Sequence, residues 1–409
     1  MDSRAFVENM FHEYYTKDFS LGEGFPSIEK REFGFASFNG WMLRHKGFKT
    51  ADELELFLRD SVPYGAYFSC AYYEDPEADM SKKGWLGADL IFDVDADHIP
   101  TPCNKIHDEW VCGNCGFAGR GIEPEKCPSC SSEKIAVDSW PCEVCIKTAK
   151  VEIIKLVDFL INDFGFSKKE IRLFFSGHRG YHVYVQTRDV EPLDAIARKE
   201  ITDYICGRGL SSSSFGLDGK TLTMRKESFK ALADVGWRRR IIRGIKDALL
   251  NADERKLASF GFSSTDAKAI LGNREKILME LEKSDKAGLI KGIGPERWEK
   301  MVNLGISLQS AKIDTVVTTD VHRLIRLDNS LHGKTGFKKV EISMSAIDDF
   351  DPFTSAVAFS HGEATVSVSS APAFRLGNEM FGPYKDQKVK LPTAAAMLLV
   401  CKGRAKVIE

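Results

Sequence analysis

The sequence predicts a mixed α/β protein with a zinc-binding module and a helical insertion. Strand-like patterns occur toward both ends of the chain, whereas residues 190–310 have a helical pattern almost throughout. Before that helical region, Cys103–Cys145 is poor in aliphatic residues and rich in Cys, Pro and Gly, so metal binding is expected to fold it. The predicted parts are a core of residues 1–214 and 306–409, a zinc module of residues 103–145 within that core, and an insertion of residues 215–305.

Individual elements of the core follow from the spacing of apolar residues. Helices are predicted over residues 5–17 and 143–163, where apolar residues recur at helical spacing. Alternating or short apolar runs predict strands, two of which flank a tight turn. The predicted strand regions are residues 31–48, 87–97, 171–175 and 182–186, and strand character returns near Ile313.

Composition predicts an intracellular protein. No apolar run reaches the length of about 18 residues that a transmembrane helix needs, and the first residues lack a signal-peptide pattern. The formal net charge of −2 argues against a protein that coats nucleic acid. This net charge is compatible with an enzyme in which the positive charge of a basic cleft offsets the negative charge of an acidic metal centre.

The cysteines indicate zinc rather than disulfide bonds. Seven of the ten lie between Cys103 and Cys145, and two CxxC pairs separated by eleven residues form a zinc-ribbon pattern. We expect two nested structural sites, each with four protein ligands. The ribbon set is Cys112, Cys115, Cys127 and Cys130, and the flanking set is Cys103, His107, Cys142 and Cys145. Crossed pairings remain possible, and His98 could replace His107.

An acidic pair lies on the strand predicted over residues 87–97. Because side chains alternate along a strand, Asp93 and Asp95 share one face, while Phe92 and Val94 share the other. Two carboxylates at this spacing repel each other unless a cation lies between them, and hard divalent ions prefer oxygen ligands. A solvated acidic strand edge is the alternative interpretation.

The turn between the strands at 171–175 and 182–186 has the sequence Ser176-Gly-His-Arg-Gly-Tyr-His182. Its glycines permit a close approach of the backbone, and Ser, His and Arg supply donors and positive charge to a phosphate. An exposed hairpin turn without a ligand is the alternative.

A third segment, residues 313–336, adds a carboxylate and several cations. It contains Asp314, the run Arg323-Leu-Ile-Arg326, and the loop Ser330-Leu-His-Gly-Lys-Thr-Gly336. The full spacing of a phosphate-binding P-loop is absent, so we reject that interpretation.

The insertion contains one basic cluster, Trp237–Arg243, that combines an aromatic residue with four arginines. A solvated helix face is the favoured interpretation. Contact with template phosphates or a base is the alternative.

Taken in order, these segments resemble the small catalytic subunit of archaeo-eukaryotic DNA primases. The order is FDVD, a zinc segment, SGxRGxH, and D-x4-T-D-x2-R-L-I-R followed by SLHGKTG. The resemblance covers about residues 31–340 and includes Arg31-Glu32-Phe33, which matches a family segment near the active site. It implies a primase-type catalytic core.

The resemblance also implies roles for individual residues. The catalytic carboxylates, which would hold two Mg²⁺ or Mn²⁺ ions, are Asp93, Asp95 and Asp314. The residues that would hold the triphosphate of the incoming nucleotide are Ser176, Arg179, His182, Arg326, His332 and Lys334. His178 stands where related proteins can carry another Arg.

The implied function is template-directed primer synthesis from nucleoside triphosphates on single-stranded DNA, within the replication machinery of the cytoplasm or nucleoid and without a membrane. The implied partner is a large regulatory subunit with an iron–sulfur domain, in a heterodimer. Two alternatives remain: a stand-alone primase-polymerase or repair polymerase of the same superfamily, and an inactive zinc-dependent DNA-binding scaffold.

Overall fold

The computed structural model describes residues 2–21, 25–211, 236–282 and 292–408, so the predicted boundary between residues 214 and 215 lies outside the described residues. The chain forms two compact units, which we call the mixed unit and the helical unit. The mixed unit consists of Met1–Ile153, Ser167–Lys199 and Ile313–Glu409, and the helical unit of Ile154–Phe166 and Glu200–Lys312. The predicted division into core, zinc module and insertion stays a prediction.

The described helices are α1 Ser3–Lys17, α2 Ala51–Ser61, α3 Asn104–His107, α4 Glu143–Asn162, α5 Ala195–Ile205, α6 Gly236–Leu250, α7 Glu254–Ser259, α8 Ser264–Gly272, α9 Arg274–Glu282, α10 Pro295–Gln309, α11 Thr315–Thr319, α12 Pro352–Ser355 and α13 Thr393–Cys401. The two helices predicted over residues 5–17 and 143–163 are confirmed as α1 and α4, with ends within two residues of the predicted positions.

The strands lie in the mixed unit. They are β1 Phe33–Ala36, β2 Met42–Lys46, β3 Gly65–Ser69, β4 Ala71–Tyr73, β5 Trp85–Ala88, β6 Leu90–Asp95, β7 Glu109–Cys112, β8 Ala118–Arg120, β9 Ile135–Asp138, β10 Ile171–Phe175, β11 Gly180–Val185, β12 Leu324–Arg326, β13 Val340–Ile342, β14 Glu363–Ala371, β15 Phe374–Leu376, β16 Glu379–Phe381, β17 Tyr384–Pro392 and β18 Ala405–Val407. This composition of helices and strands confirms the mixed α/β class.

Two four-stranded antiparallel sheets form the centre of the mixed unit. Their strand orders are β12-β3-β1-β2 for the first sheet and β13-β10-β11-β6 for the second sheet. Aromatic side chains fill the core between them, and Phe33, Phe68, Phe174 and Tyr184 are almost completely buried. A third sheet, in the order β17-β14-β18, packs against α13, and a small sheet in the order β8-β7-β9 carries the ribbon cysteines.

The strand β6 has the alternation that its sequence predicts. Phe92 and Val94 are completely buried, whereas Asp93 and Asp95 are partly exposed. Because β6 is an edge strand of the second sheet, it pairs with β11 on one side, and the start of α11 packs against its other side.

The segment after Ile313 differs from the strand that its sequence predicts. Asp314 begins the short helix α11, and its side chain accepts a hydrogen bond from the backbone N–H of Val316 at 2.9 Å. Aspartate satisfies the otherwise unpaired N–H groups at a helix start, which is why two valines here lie in a helical turn despite their preference for strands.

In the helical unit, α6 and α10 approach each other through two glycines. A Cβ atom added to Gly244 would lie 2.7 Å from the carbonyl oxygen of Gly305, and one added to Gly305 would lie 2.7 Å from that of Ile241. A Cβ atom at either position would clash with the backbone of the facing helix, so both positions require glycine.

The cluster Trp237–Arg243 is largely buried, contrary to the solvated helix face expected for it. Arg240 is 1% exposed and donates to both carboxylate oxygens of Asp163 at 2.7 and 2.8 Å. A further bond, of 2.6 Å, joins it to Asp158. These two carboxylates balance the buried guanidinium, and sequence patterns within the cluster could not reveal them.

Among the described residues, no helix combines the length and the apolar content needed to cross a membrane.

Candidate active site

Strands β6 and β11 bring acidic and basic side chains together. Their register sets Asp93 opposite His182 and Asp95 opposite Gly180. The Nε2 atom of His182 lies 3.6 Å from Oδ1 of Asp93. Asp314 joins them from the start of α11, because its backbone N–H donates to the carbonyl oxygen of Asp93 at 2.8 Å. The three predicted carboxylate residues therefore lie side by side at one edge of the second sheet.

The electrostatics of this edge favour a bound cation. Burial raises the pKa of the Asp93 carboxyl well above its ordinary value, and the nearby carboxylates of Asp95 and Asp314 raise it further. The positive charge of Arg323 opposes that shift. Carboxylates that disfavour one another's charge are stabilised together by a divalent ion with oxygen ligands.

The side chains nevertheless do not converge as the predicted triad. In the described part of the chain, the acidic group whose three ligand atoms lie within 4.8 Å of one another consists of Asp95, Asp97 and His178. Asp93 and Asp314 lie beside this group. Asp97 lies in the 3₁₀ turn Ala96–His98 that follows β6, and its backbone N–H donates to Oδ1 of Asp95 at 3.0 Å.

The turn between β10 and β11 is held by its own serine. The Oγ atom of Ser176 accepts from the backbone N–H groups of His178 at 3.3 Å and of Gly180 at 3.2 Å. Both bonds use the oxygen as acceptor, so the hydroxyl proton remains available to a ligand. Gly177 has a φ of 86°, and a Cβ atom there would lie 3.1 Å from Cβ of His332, so glycine suits this position.

The loop 330–336 is fastened to this turn. The hydroxyl of Thr335 donates to the carbonyl of Gly177 at 2.6 Å, and the rings of His178 and His332 stack with their centroids 4.9 Å apart. Two segments that are about 150 residues apart in the sequence thus form one surface.

Cations surround the two stacked histidines. Arg326 lies on β12, where its guanidinium donates to the carbonyl of Leu331 at 3.2 Å, and Lys334 is exposed on the loop. Burial lowers the pKa of both His178 and His332 well below the ordinary value, and nearby cations lower it further. A concentration of positive charge of this kind suits a phosphate.

Arg179 has different partners from the other predicted nucleotide-binding residues. Its guanidinium is 1% exposed and donates to the two carboxylate oxygens of Asp108 at 2.8 and 2.9 Å. It also pairs with Asp97. Both carboxylates neutralise a buried charge, and Asp108 follows the predicted zinc ligand His107 directly in the chain.

The ribbon set comes together in the small β8-β7-β9 sheet. The Sγ atoms of Cys112 and Cys130 lie 3.6 Å apart, as do those of Cys115 and Cys127. Four sulfurs at about 2.3 Å from a tetrahedral zinc ion would be separated by nearly this distance. The donor set and its spacing therefore fit zinc.

The flanking set also comes together, with His107 as its nitrogen ligand. The Sγ atoms of Cys103 and Cys145 are 3.3 Å apart, and Nε2 of His107 lies 3.2 Å from Sγ of Cys142. The other ring nitrogen, Nδ1, lies 2.7 Å from Oδ1 of Asp108. A carboxylate in this position orients a metal-bound histidine, so this site fits zinc as well.

The segment Arg31-Glu32-Phe33 is buried in the core. The guanidinium of Arg31 donates to the carbonyl of Ser69 at 2.8 Å and to Asp89 at 2.6 Å. Glu32 lies 3.3 Å from Nζ of Lys83. These contacts support the first sheet and its junction with β6, rather than a ligand.

Sequence patterns missed three charged residues of the site, namely Asp97, Asp108 and Arg323. Asp97 continues the two-residue period of the acidic strand face, and that period could have revealed it. Asp108 follows the predicted zinc ligand His107, and a carboxylate often accepts a hydrogen bond from such a histidine, which could have drawn attention to it. Arg323 lies within the recognised RLIR run, but nothing in that run distinguishes it from Arg326.

Comparisons with known proteins agree with this arrangement. The model of a family described as DNA primase small subunit matches residues 137–344. The DNA primase small subunit PriS of Nitrosopumilus maritimus is 32% identical over 402 residues, which cover 98% of each chain. That of Cenarchaeum symbiosum is 32% identical over 97% of this chain and 96% of its own. That of Methanothrix thermoacetophila is 32% identical over the whole of both chains.

These matches extend over almost the entire sequence and include the acidic strand, the basic turn and the loop 330–336. They agree with the resemblance drawn from the motifs. The chain belongs to the DNA primase small subunit family, whose members are DNA-directed nucleotidyltransferases that synthesise primers.

Proposed function

We propose that this chain synthesises and extends short primers on single-stranded DNA by template-directed, metal-dependent nucleotidyl transfer. The observation that supports this most directly is the pairing of β6 with β11. It sets Asp93 and Asp95 next to a turn with phosphate-binding chemistry. Residues that would hold the ions and residues that would hold the phosphates are expected to lie this close together, because the ions would stabilise the charge of the same triphosphate.

Asp93, Asp95 and Asp314 would hold two Mg²⁺ or Mn²⁺ ions. When bound, such ions supply electrostatic stabilisation to the attacking 3′-oxygen and the departing pyrophosphate. The protein orients the three carboxylates through β6 and through the cap of α11. Asp97 adjoins this set and keeps Arg179 next to it.

The triphosphate would be held by Ser176, His182, Arg326, His332 and Lys334. The Ser176 hydroxyl, the histidine rings and the two cations offer donors to the phosphate oxygens, and the cations offset the charge that moves to the leaving group. Arg179 can take the same role only by exchanging its contact with Asp97 for a phosphate oxygen. Otherwise it connects the turn to Asp108.

Two zinc ions would occupy the ribbon set and the flanking set. Each set supplies four protein ligands and leaves no open position, which indicates structural rather than catalytic sites. In the flanking set, the hydrogen bonds of Asp108 to His107 and to Arg179 would fix the basic turn, residues 176–182, relative to the zinc module.

A large subunit with an iron–sulfur domain would complete the enzyme. Initiation requires two nucleotides to be bound before a primer exists, and the groups described here account for one triphosphate. We therefore propose a heterodimer in which the partner supplies the second nucleotide site. Single-stranded DNA and nucleoside triphosphates would be the substrates.

The test compares extension with initiation. The zinc-loaded chain is given labelled nucleotides and Mg²⁺ or Mn²⁺, on primed and on unprimed single-stranded DNA, with and without the large subunit. We expect ready extension of the primer by the chain alone, and efficient initiation only with the partner. Loss of all incorporation in both arms would contradict the enzymatic role. Efficient dinucleotide synthesis that the partner leaves unchanged would favour a stand-alone primase-polymerase.

A further inference from the structure

The end of α13 carries a buried lysine, outside residues 137–344, which the family model matches. Lys402 follows this helix, and only 3% of its side chain is exposed. Burial of a lysine is costly unless its charge is balanced, so its surroundings must explain the position.

The carboxylate partner of Lys402 is shared with a second cation. Nζ of Lys402 lies 3.3 Å from Oδ1 of Asp138, and the guanidinium of Arg404 lies 2.6 Å from Oδ2 of the same residue. Asp138 is itself partly exposed, at 41% of its side chain. Asp138 thus pairs with two cations, and the closer contact belongs to Arg404, which also lies 3.6 Å from Glu109.

Lys402 is connected to the predicted triphosphate site. Asp138 is followed by Ser139, whose Oγ lies 3.5 Å from Nε2 of His178, and the His178 ring stacks on His332. The loop 330–336 also packs against α13, because a Cβ atom on Gly336 would lie 3.7 Å from Cβ of Met397. Met397 lies in the middle of α13. At its end, burial and then the positive charges of Lys334 and Arg179 lower the pKa of Lys402 against the effect of Asp138, so Lys402 lies near the loop and the turn that would hold the phosphates.

The charges in this region do not balance. The Arg326 guanidinium donates to the carbonyl of Leu331 and to the hydroxyl of Tyr67, both of which are uncharged, and Lys334 is exposed. Lys402 adds a third cation and shares its only paired carboxylate with Arg404. Burial first, and then Lys402 foremost among the cations, lowers the pKa of His178 well below its ordinary value. Cations held together in this way, with an excess of positive charge, are stabilised by a multiply charged anion.

We propose that Lys402 is a further nucleotide-binding residue, which pairs with Asp138 before nucleotide binds and then contacts the polyphosphate of the incoming nucleotide. This inference rests on the proposed function, because it adds a ligand to the same triphosphate site. The zinc module takes part through Asp138, which is the last residue of β9. On nucleotide binding, Lys402 exchanges Asp138 for a phosphate oxygen, and Arg404 continues to pair with that carboxylate.

The test uses the zinc-loaded full chain and inorganic tripolyphosphate as a competitive inhibitor of primer extension. Lys402→Met should raise the inhibition constant of tripolyphosphate and the KM for nucleotide by about tenfold, the lower range for a hydrogen bond to a charged group. The kcat should stay within about threefold, because the metal ligands are untouched. Lys402→Arg should retain most of the affinity. Lys406→Met, which removes an exposed lysine of β18, is the matched control and should change neither constant.

Arg326→Met separates this inference from the proposed function. If Arg326→Met weakens tripolyphosphate binding and Lys402→Met does not, Lys402 is only structural and the inference is wrong. If neither weakens it, the proposed triphosphate site is wrong as well.

Asp138→Asn gives an independent readout should Lys402→Met fail to fold. It removes the carboxylate that competes with the phosphates for Lys402. Tripolyphosphate should then bind more tightly than to the unmutated chain, and equal or weaker binding would overturn the proposal.

Discussion

The ribbon set and the flanking set offer the same kind of ligands in different surroundings. In the ribbon set Cys115 is exposed, and the ligands lie on a small sheet of short strands. In the flanking set Cys145 is completely buried. The Asp108 carboxylate is hydrogen-bonded both to His107 and to the buried guanidinium of Arg179. Ligand spacing predicts where a metal binds. The hydrogen bonds around the ligands determine which other parts of the protein lose their positions when the metal is lost.

Among the variants that compare the two zinc sets, the largest effect is expected from loss of a flanking ligand. Cys145→Ser should remove one zinc per chain and reduce primer extension by about 100-fold or more, because the loop that carries Asp108 would no longer be fixed by metal. Elemental analysis and an extension assay measure the two effects. Full activity in a protein that has lost this zinc would show that the flanking set does not support the basic turn.

A smaller effect is expected from the residue that connects this set to the turn. Asp108→Asn removes one carboxylate from a buried Arg179, which should lower the free energy of unfolding by about 3 kcal/mol. Zinc affinity or activity should fall roughly 10–100-fold, the usual cost of losing a carboxylate that orients a metal-bound histidine.

The matched control for that variant is Glu109→Gln, which changes the neighbouring, more exposed carboxylate. Among the described residues it pairs with Arg120 and Arg404, and it is itself 41% exposed, so the free energy of unfolding should change by less than about 1 kcal/mol. Equal losses in both variants, measured by denaturant unfolding, would argue against a special role for Asp108.

The smallest effect is expected in the ribbon set. Cys115→Ser should also remove one zinc, but primer extension should stay within about threefold, because this ligand is exposed and lies away from Arg179. A loss as large as that of Cys145→Ser would make the two sets equivalent. A chain that retains both zinc ions would show that the ligand pairing is wrong.

Much of this site could be predicted from the sequence because its patterns are local. The spacing of Cys112 and Cys115 indicates zinc without knowledge of the fold, and the alternation around Asp93 predicts a strand with one acidic face. The turn at Ser176 lies between two apolar runs and is equally local. In each case, neighbours in the chain are also neighbours in space.

The remainder depends on contacts between distant segments. Asp108 and Arg179 are separated by 71 residues and Lys402 and Asp138 by more than 260, so no local pattern pairs them. Lys402 follows an apolar helix that is typical of a core element. The short helix that begins at Thr315 could not be predicted either, because its valines favour strands. The side chain of Asp314 caps this helix and stabilises the helical conformation.

Extension of a primed single-stranded template by Asp93→Asn and Asp95→Asn chains tests most directly whether the carboxylates of β6 support metal-dependent nucleotidyl transfer. Both changes keep the shape of the side chain and remove the charge of a proposed metal ligand, so incorporation should be abolished while folding and DNA binding stay nearly intact. Asp60→Asn, an exposed change on α2, is the control and should retain full activity. Incorporation by either β6 variant within about tenfold of the unmutated chain would contradict the assignment.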